Sequence, residues 1–185
     1  MAAGMKRIGM LYPSSGISEI EVQKMLPEGV SLHVTRIPMR APDYEGLMHM
    51  ADSVEEAASL LADARVDIIA FNCTMGSLIK GRGYDEDIID RINRATGLPA
   101  TTTTTAVAAG IRTVGMKKFI MITPYVERMN QIEKAFLEDL GFQVLGYKGM
   151  GLDDASRQYE VEPSRWHQLL RKMQDPQADG YLVSC

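Results

Sequence analysis

Residues 67–73 read DIIAFNC and residues 179–185 read DGYLVSC, so an aspartate, an apolar run and a cysteine recur 112 positions apart. A fixed offset of this kind indicates an internal duplication. Further landmarks at the ends of apolar runs keep nearly the same spacing, namely Pro13 with Pro124 and Gly29 with Gly141. The sequence therefore predicts two copies of one β-α-β-α-β unit.

Short apolar runs alternate along the whole chain with amphipathic stretches. The first kind is typical of buried strands, and the second predicts helices. Strands are predicted at Lys6–Tyr12, Val30–Met39, Val66–Asn72, Ala100–Thr105, Lys118–Ile122, Phe142–Tyr147 and Gly180–Ser184. Helices are predicted at Ser18–Met25, Asp43–Ala64, Tyr84–Ala95, Ala106–Val114, Glu127–Leu140 and Ser164–Met173. This alternation predicts an α/β fold with parallel sheets and helices on both faces.

Several local signals sharpen this prediction. Ser18 with Glu21 has the spacing of a capping box at a helix start. The threonines of 101–105 are β-branched and favour a strand. We expect a first lobe over residues 1–98 and a second over residues 99–185, with the segment between the copies extending the first.

Ligands of open α/β sheets bind beyond the carboxyl ends of the strands. The predicted strand ends lead into Pro13–Gly16, Cys73–Ser77, Thr123–Tyr125 and Cys185. If two similar lobes face each other, these segments line one cleft and the two cysteines approach it from opposite sides.

Two facing thiols can do acid–base or covalent chemistry. Cys73 lies at a predicted strand-to-helix turn, where backbone N–H groups favour the thiolate. Such a pair can remove a proton from one face of a carbon and return it to the other. Alternatively, one thiolate can add to an activated double bond while the other group protonates the product side.

Hydroxyl side chains surround the same predicted strand ends, at Ser14, Ser15, Thr74, Ser77, Thr123 and Ser184, and Tyr125 adds a phenol. Short hydroxyls beside backbone N–H groups can bind a carboxylate or an oxyanion. The alternative for each hydroxyl is a helix cap or a turn. The alternative for a single cysteine is a small buried apolar residue.

Composition excludes several classes of protein. The 185 residues are 45% hydrophobic and 24% charged, which is typical of a globular chain. A net charge of −4 argues against a duplex-DNA binder. The absence of a long apolar run argues against a membrane partner or a signal peptide, so we expect a cytoplasmic protein. Two cysteines, three histidines without zinc-site spacing and no phosphate-binding glycine motif predict no metal and no cofactor.

Five stretches resemble the aspartate/glutamate racemase superfamily, in the branch of maleate cis-trans isomerases and arylmalonate decarboxylases. They are IGMLYPSSGISEIE (8–21), FNCTMGS (71–77), GLPATTTTTAVAAGIRTVG (97–115), ITPYVERMNQIEKAFLEDLGF (122–142) and ADGYLVSC (178–185). The resemblance implies two pseudo-symmetric Rossmann-like, flavodoxin-like lobes with the active site in the cleft between them. It also implies cofactor-independent chemistry on small mono- or dicarboxylates, and a homo-oligomer.

The resemblance also implies residue roles. In the isomerases the cysteine matching Cys73 adds to the double bond, rotation and elimination follow, and the cysteine matching Cys185 assists. The decarboxylases keep only the second cysteine, as a proton donor, and have glycine at the first position. The carboxylate contacts of the family correspond to Ser14, Ser15, Thr74, Met75 (through its backbone) and Tyr125, with Gly16 and Ser184 beside them.

Two departures from the resemblance bear on the prediction. Gly16 stands where the isomerases usually have asparagine, which removes a carboxylate donor and weakens the case for maleate itself. Family members continue past the residue matching Cys185, so we expect the segment that completes the first lobe to be absent. The main prediction is a two-cysteine isomerase or racemase. The alternatives are a malonate decarboxylase using Cys185, a non-catalytic carboxylate-binding module and a thiol redox protein.

Overall fold

The computed structural model describes residues 4–39 and 43–184, except for the side chains of residues 155 and 156. Within these residues strands and helices alternate as predicted. The strands are β1 (Lys6–Pro13), β2 (Val30–Ile37), β3 (Ile68–Phe71), β4 (Ala100–Thr102), β5 (Lys118–Thr123), β6 (Gln143–Gly149) and β7 (Gly180–Val183). The helices are α1 (Glu19–Met25), α2 (Tyr44–His49), α3 (Val54–Asp63), α4 (Thr74–Leu78), α5 (Tyr84–Thr96), α6 (Thr103–Thr113), α7 (Glu127–Asp139), α8 (Ala155–Tyr159) and α9 (Pro163–Lys172).

The strands form two parallel sheets with the same internal order. The first sheet has the order β2-β1-β3-β4 and the second has the order β6-β5-β7. The pairs β1 with β2, β1 with β3, β5 with β6 and β5 with β7 are all parallel. The predicted α/β class with two similar lobes is therefore confirmed. Strand β4 pairs with β3, so the first sheet includes residues beyond the predicted boundary at residue 98.

Equivalent aspartates tie the strands together in both lobes. The Asp67 carboxylate accepts a hydrogen bond from the backbone N–H of Arg7 (2.7 Å). The Asp179 carboxylate accepts hydrogen bonds from the N–H groups of Lys117 and Lys118 (2.8 Å each). Hydrogen bonds from these backbone N–H groups stabilise the ionised carboxylates and so lower the pKa of both aspartates. The aspartates that begin the two repeated stretches thus make equivalent contacts, each accepting backbone hydrogen bonds at the start of the central strand of its lobe.

The central strand of the second lobe is buried on both faces. Phe119 and Met121 pack in one hydrophobic cluster with residues of α6 and α7, whereas Ile120 and Ile122 pack in another with Leu169 of α9. Successive side chains of a strand point to opposite faces, so a continuous apolar run is what a sheet covered by helices on both sides requires.

The two lobes share part of one core. The large cluster around the first sheet includes Tyr125, Met129 and Phe136 from the second lobe, packed with residues such as Met75 and Leu78 of α4. Burial of apolar surface across this boundary holds the lobes together. No helix of the described residues has the length and apolar character needed to cross a bilayer.

The threonine run divides between two elements, so the predicted strand over residues 100–105 is wrong beyond Thr102. Thr102 is extended, and its hydroxyl accepts a hydrogen bond from the backbone N–H of Thr105 (3.1 Å). A threonine that caps a helix satisfies an N–H left without a partner in the first turn. Helix α6 therefore begins at Thr103, three residues before the predicted start.

The predicted capping box at Ser18 is also wrong. Helix α1 begins at Glu19, but the Ser18 side chain makes no capping hydrogen bond. Its hydroxyl instead bonds to the Tyr12 hydroxyl, which also accepts a hydrogen bond from the Ser18 N–H (3.0 Å). A tertiary partner at the end of β1 thus replaces the local cap.

The predicted long helix over residues 43–64 is broken by a 3₁₀ turn, Met50–Ser53, between α2 and α3. Two short helices, α4 and α8, were not predicted, since stretches this short carry too little periodicity to detect. Of these, α4 matters most for the site, because it follows Cys73 directly.

Candidate active site

Cys73 lies at the N-terminus of α4, two residues beyond the end of β3. Its backbone is extended (φ −154°, ψ 113°), and it occupies the position that precedes the first helical residue. The sulfur accepts a hydrogen bond from the backbone N–H of Gly76 (3.3 Å). An N–H donor and the positive end of a helix both favour a thiolate over a thiol. The predicted strand-to-helix turn is thus confirmed, and the Gly76 N–H within it points at the Cys73 sulfur.

The residue that supplies this N–H must be glycine. A Cβ atom at Gly76 would lie 2.7 Å from the Met50 sulfur and 3.1 Å from the Cys73 sulfur. Any side chain would therefore displace Met50, the Cys73 sulfur or the N–H donor itself. The 3₁₀ turn that interrupts the predicted long helix places Met50 in this contact.

An interlobe cleft of about 580 Å³ opens beside Cys73. The first lobe contributes the ends of β1 and β3 together with α2 and the start of α4. The second lobe contributes the loop after β5, the first turn of α7 and the region around α8. A volume of this size is in the range of small-molecule sites.

Four of the predicted site residues line this cleft together: Cys73, Thr74, Met75 and Tyr125. Thr74 and Met75 are buried in the first turn of α4. Tyr125 is held by a network in the second lobe. Its N–H donates to the Thr123 hydroxyl (3.0 Å), and its carbonyl accepts from the Asn130 side chain (3.2 Å). Thr123 is therefore a positioning group for the Tyr125 loop rather than a lining hydroxyl.

The predicted residues 14–16 do not line the cleft in this structure. The Ser14 hydroxyl donates to the Met39 carbonyl (3.1 Å) and accepts from the Met39 N–H (2.9 Å), so it anchors a neighbouring segment. The Ser15 hydroxyl oxygen is buried and has no hydrogen-bond partner among the described residues. A Cβ at Gly16 would overlap the Tyr12 ring. Glycine is required at residue 16 because the ring occupies the space of a side chain.

The end of the chain carries a buried pair that sequence reasoning missed. Ser184 is buried, does not line the cleft, and donates a hydrogen bond to Oε1 of Glu133. The other oxygen, Oε2, is buried and meets no hydrogen-bond partner in the part of the chain that the structure describes. Burial raises the pKa of Glu133 to about 7, against the lowering effect of the Ser184 hydroxyl. Cys185, the predicted second catalytic cysteine, lies outside the described residues.

Glu133 could have been found from the sequence. It shares the apolar face of α7 with Met129, Phe136 and Leu137, at helical spacing. An acidic residue among buried apolar positions is a local inconsistency, and such inconsistencies often mark functional sites.

A second missed feature spans the mouth of the cleft. The guanidinium of Arg128, in the first turn of α7, lies 3.9 Å from the centroid of the Tyr44 ring of α2. Both residues line the cleft, one from each lobe. A sequence pattern cannot reveal this pair, because its members are far apart along the chain. Across the described residues, no group of three or more His, Cys, Asp or Glu side chains could hold a metal ion.

The fold and the cleft define a class: a two-lobed α/β enzyme with a cysteine at a helix start between its lobes. The sequence profile of the arylmalonate decarboxylase family matches residues 8–185. The chain belongs to this family, which confirms the resemblance to the branch of maleate isomerases and arylmalonate decarboxylases.

Individual relatives include both kinds of enzyme. A maleate isomerase of Geobacillus stearothermophilus is 27% identical over 96% of this chain and 76% of its own length. The arylmalonate decarboxylase of Bordetella bronchiseptica is 24% identical over 99% of this chain and 77% of its own length. The crystal structure of a cysteine-to-alanine variant of the maleate isomerase Iso from Pseudomonas putida S16, with maleate, superimposes with a TM-score of 0.88. That similarity is at 25% identity and covers 95% of this chain and 76% of that one.

Proposed function

We propose that this chain is a cofactor-independent isomerase of a small carboxylic acid, with Cys73 as the nucleophile. The observation that carries the proposal is the position of Cys73, which lines the interlobe cleft and has its sulfur hydrogen-bonded to the N–H of Gly76. The maleate isomerases among the relatives support an unsaturated acid as the substrate.

The chemistry needs no external electron acceptor. The Cys73 thiolate adds to one carbon of the double bond, and the displaced electron pair moves onto the carboxylate conjugated with the other carbon. The former double bond is now single and rotates. Return of the electron pair reforms the double bond in the other geometry and expels the thiolate. Cys185 assists by giving and taking back a proton at the carbon that holds the negative charge.

The substrate carboxylate would lie near the start of α4 and Tyr125. Thr74 and the backbone of Met75 supply donors at the helix start, and the Tyr125 hydroxyl supplies one from the opposite lobe. Ser14 and Ser15 are proposed as further donors on the family resemblance alone, because neither lines the cleft. The Ser14 hydroxyl is engaged by Met39, whereas that of Ser15 has no partner among the described residues. The Gly16 N–H donates to the Pro13 carbonyl (2.9 Å) and is not available. Ser184 is proposed to act indirectly, by positioning the residue that follows it.

The test is to incubate the protein with maleate, arylmalonates, amino acids and hydantoins in heavy water and to follow isomer ratio and isotope uptake by NMR. We expect isomerisation of an unsaturated acid by the wild type. Cys73→Ser should lower the rate by at least about 10³-fold, since a serine hydroxyl is a far weaker nucleophile. Thermal unfolding of the variant serves as the control for folding. Full turnover by Cys73→Ser would contradict the proposal.

A decarboxylase is the second candidate, favoured by the family profile itself. It would release carbon dioxide from an arylmalonate and place one solvent deuterium on the product carbon. Its activity would survive Cys73→Ser and vanish in Cys185→Ser, because only the second cysteine donates the proton. Saturable binding of an acid with no turnover or isotope uptake would instead support a carboxylate-binding module.

We also propose that the lobes divide near residue 98, that the protein is a homo-oligomer and that it acts in the cytoplasm. The support is the sequence composition and the family resemblance. Size-exclusion chromatography with light scattering tests the oligomer, and fractionation of the source cells tests the location.

A further inference from the structure

The charges around the cleft are unevenly distributed. Among the described residues, its lining has three carboxylates, at Asp43, Glu45 and Asp153, and one cationic side chain, Arg128. Away from the donors at the start of α4, the charges of these residues repel an anion except near the guanidinium. Any substrate with a negative charge at the mouth of the cleft therefore finds a single attractive group among the described lining residues.

Two of these lining carboxylates, and a third beside Arg128 in the chain, have other partners. Asp43 accepts a hydrogen bond from the Gly46 N–H (2.8 Å), which begins α2. Asp153 lies 4.0 Å from the Arg157 guanidinium. Glu127, next to Arg128 in the chain, accepts hydrogen bonds from the Tyr147 hydroxyl (2.6 Å) and the Gln131 amide (2.9 Å). Within residues 4–39 and 43–184, the Arg128 guanidinium has neither an ion pair nor a hydrogen bond.

Tyr44 orients this guanidinium without consuming its donors. A guanidinium stacked on an aromatic ring uses its face for the cation–π contact, while its N–H groups point outward in the plane. Those in-plane donors match the geometry of a carboxylate. At 3.9 Å from the Tyr44 ring, Arg128 is thus held across the cleft with its hydrogen-bonding edge unused.

We propose that Arg128, held by Tyr44, forms a distal subsite that binds a second carboxylate of the substrate. The inference rests on the proposed function and adds to it a specificity-determining residue, Arg128, for a diacid long enough to span from the Cys73 end of the cleft to its mouth. Because Tyr44 and Arg128 come from different lobes, the subsite exists only when the lobes are apposed.

The experiment compares diacids with their monoamides, which have the same size and one charge fewer. Binding of succinate, glutarate and adipate and of their monoamides is measured by calorimetry on the full chain at slightly alkaline pH. For at least one chain length we expect the diacid to bind about tenfold more tightly, as a charge-assisted hydrogen bond at a partly solvated site would give. Arg128→Gln should reduce this preference to within about twofold while leaving monoamide binding nearly unchanged.

Three further variants separate recognition from packing. Arg128→Lys keeps the positive charge but loses the paired planar N–H donors of the guanidinium, so it should retain an intermediate preference for the diacid. Tyr44→Phe should keep the preference and Tyr44→Leu should lose most of it, because the ring face orients the guanidinium. Arg171→Gln removes the same charge from an exposed position on α9 outside the cleft and should change nothing.

Two outcomes would overturn the inference: no preference for any diacid in the wild type, or an Arg128→Gln variant that weakens diacid and monoamide equally. The second outcome would assign the pair to interlobe packing alone. Failure of the proposed function is distinguishable, since the binding preference requires no turnover. A protein that isomerises no acid can still bind a diacid more tightly than its monoamide, and an active isomerase can lack this preference.

Discussion

The Cys73 sulfur depends on a neighbour that has no side chain. Gly76 donates its N–H to this sulfur and lies against Met50, so the absence of a Cβ atom at residue 76 is as important for the site as any functional group. At the residue scale, the environment of the Cys73 sulfur depends on the close approach of the Gly76 backbone. A single methyl group at residue 76 is enough to disturb this contact.

We predict that Gly76→Ala lowers both turnover and stability, the latter by about 1–3 kcal/mol, as overpacking of a filled site typically does. Turnover should fall further than stability explains, because the added carbon lies 3.1 Å from the Cys73 sulfur. Steady-state kinetics and denaturant unfolding measure the two effects.

The matched control is Gly110→Ala in α6, where an added Cβ meets no atom within 4 Å. Alanine there should stabilise the protein by about 0.5–1 kcal/mol, since glycine weakens a helix interior. A stable and fully active Gly76→Ala variant would show that the sulfur has more room than its neighbours indicate.

Glu133 makes stability depend on pH in a direction opposite to that of most carboxyl groups. Its pKa is raised by burial from 4.5 to about 7. Between these values the unfolded chain releases the proton and the folded chain keeps it, so the free energy of unfolding falls as pH rises through this window. The loss is of the order of 3 kcal/mol and is complete above pH 7.

Glu133→Gln should remove this loss. The amide oxygen still accepts the Ser184 hydrogen bond, and no charge has to be buried at any pH. We expect the variant to be more stable than the wild type at pH 8 and similar to it near pH 5, as measured by urea unfolding. Glu21→Gln, at an exposed position of α1, should keep the pH dependence of the wild type. An unchanged slope in Glu133→Gln would mean that Glu133 is ionised in the folded chain.

At the scale of elements, the division of the threonine run decides where the first sheet ends. The Thr102 hydroxyl caps α6 by accepting from the Thr105 N–H, while Thr102 itself still pairs in β4. Thr104 then bonds to the Thr74 carbonyl (3.2 Å), which ties α6 to the helix that follows Cys73. Within residues 101–105, threonines therefore pair in a strand, cap a helix and make a tertiary hydrogen bond.

We predict that Thr102→Val destabilises the protein by about 1–2 kcal/mol, since it keeps the shape but leaves the Thr105 N–H without its acceptor. Thr102→Ser retains the hydroxyl and should cost clearly less. Chemical unfolding of the two variants gives the comparison. Equal losses would show that the methyl group of Thr102, rather than the cap, stabilises the start of α6.

At the scale of the whole molecule, the shared core determines how the lobes behave. Tyr125, Met129 and Phe136 of the second lobe belong to the hydrophobic cluster of the first. Lobes that share buried apolar surface of this kind unfold together, because neither keeps its core when the other opens.

We expect a single unfolding transition. Trp166, the one tryptophan of the chain, packs in the second lobe beside Leu169, so its fluorescence reports on that lobe, whereas far-UV circular dichroism reports on both. The two signals should coincide in denaturant. Phe136→Ala should shift both together, by about 3–5 kcal/mol, as large-to-small core changes do. A tryptophan signal that moves alone would show that the lobes unfold separately.

The sequence by itself determined the duplicated α/β architecture, the position of Cys73 at a strand-to-helix turn and the family. Burial patterns and turn residues are local properties, and a repeated pattern implies a repeated unit. The tertiary structure decided which side chains meet. It turned Ser14 toward Met39, paired Glu133 with Ser184 and brought Arg128 to Tyr44 across the cleft. These contacts join residues far apart in the chain, and local periodicity carries no information about what faces a side chain from a distant element.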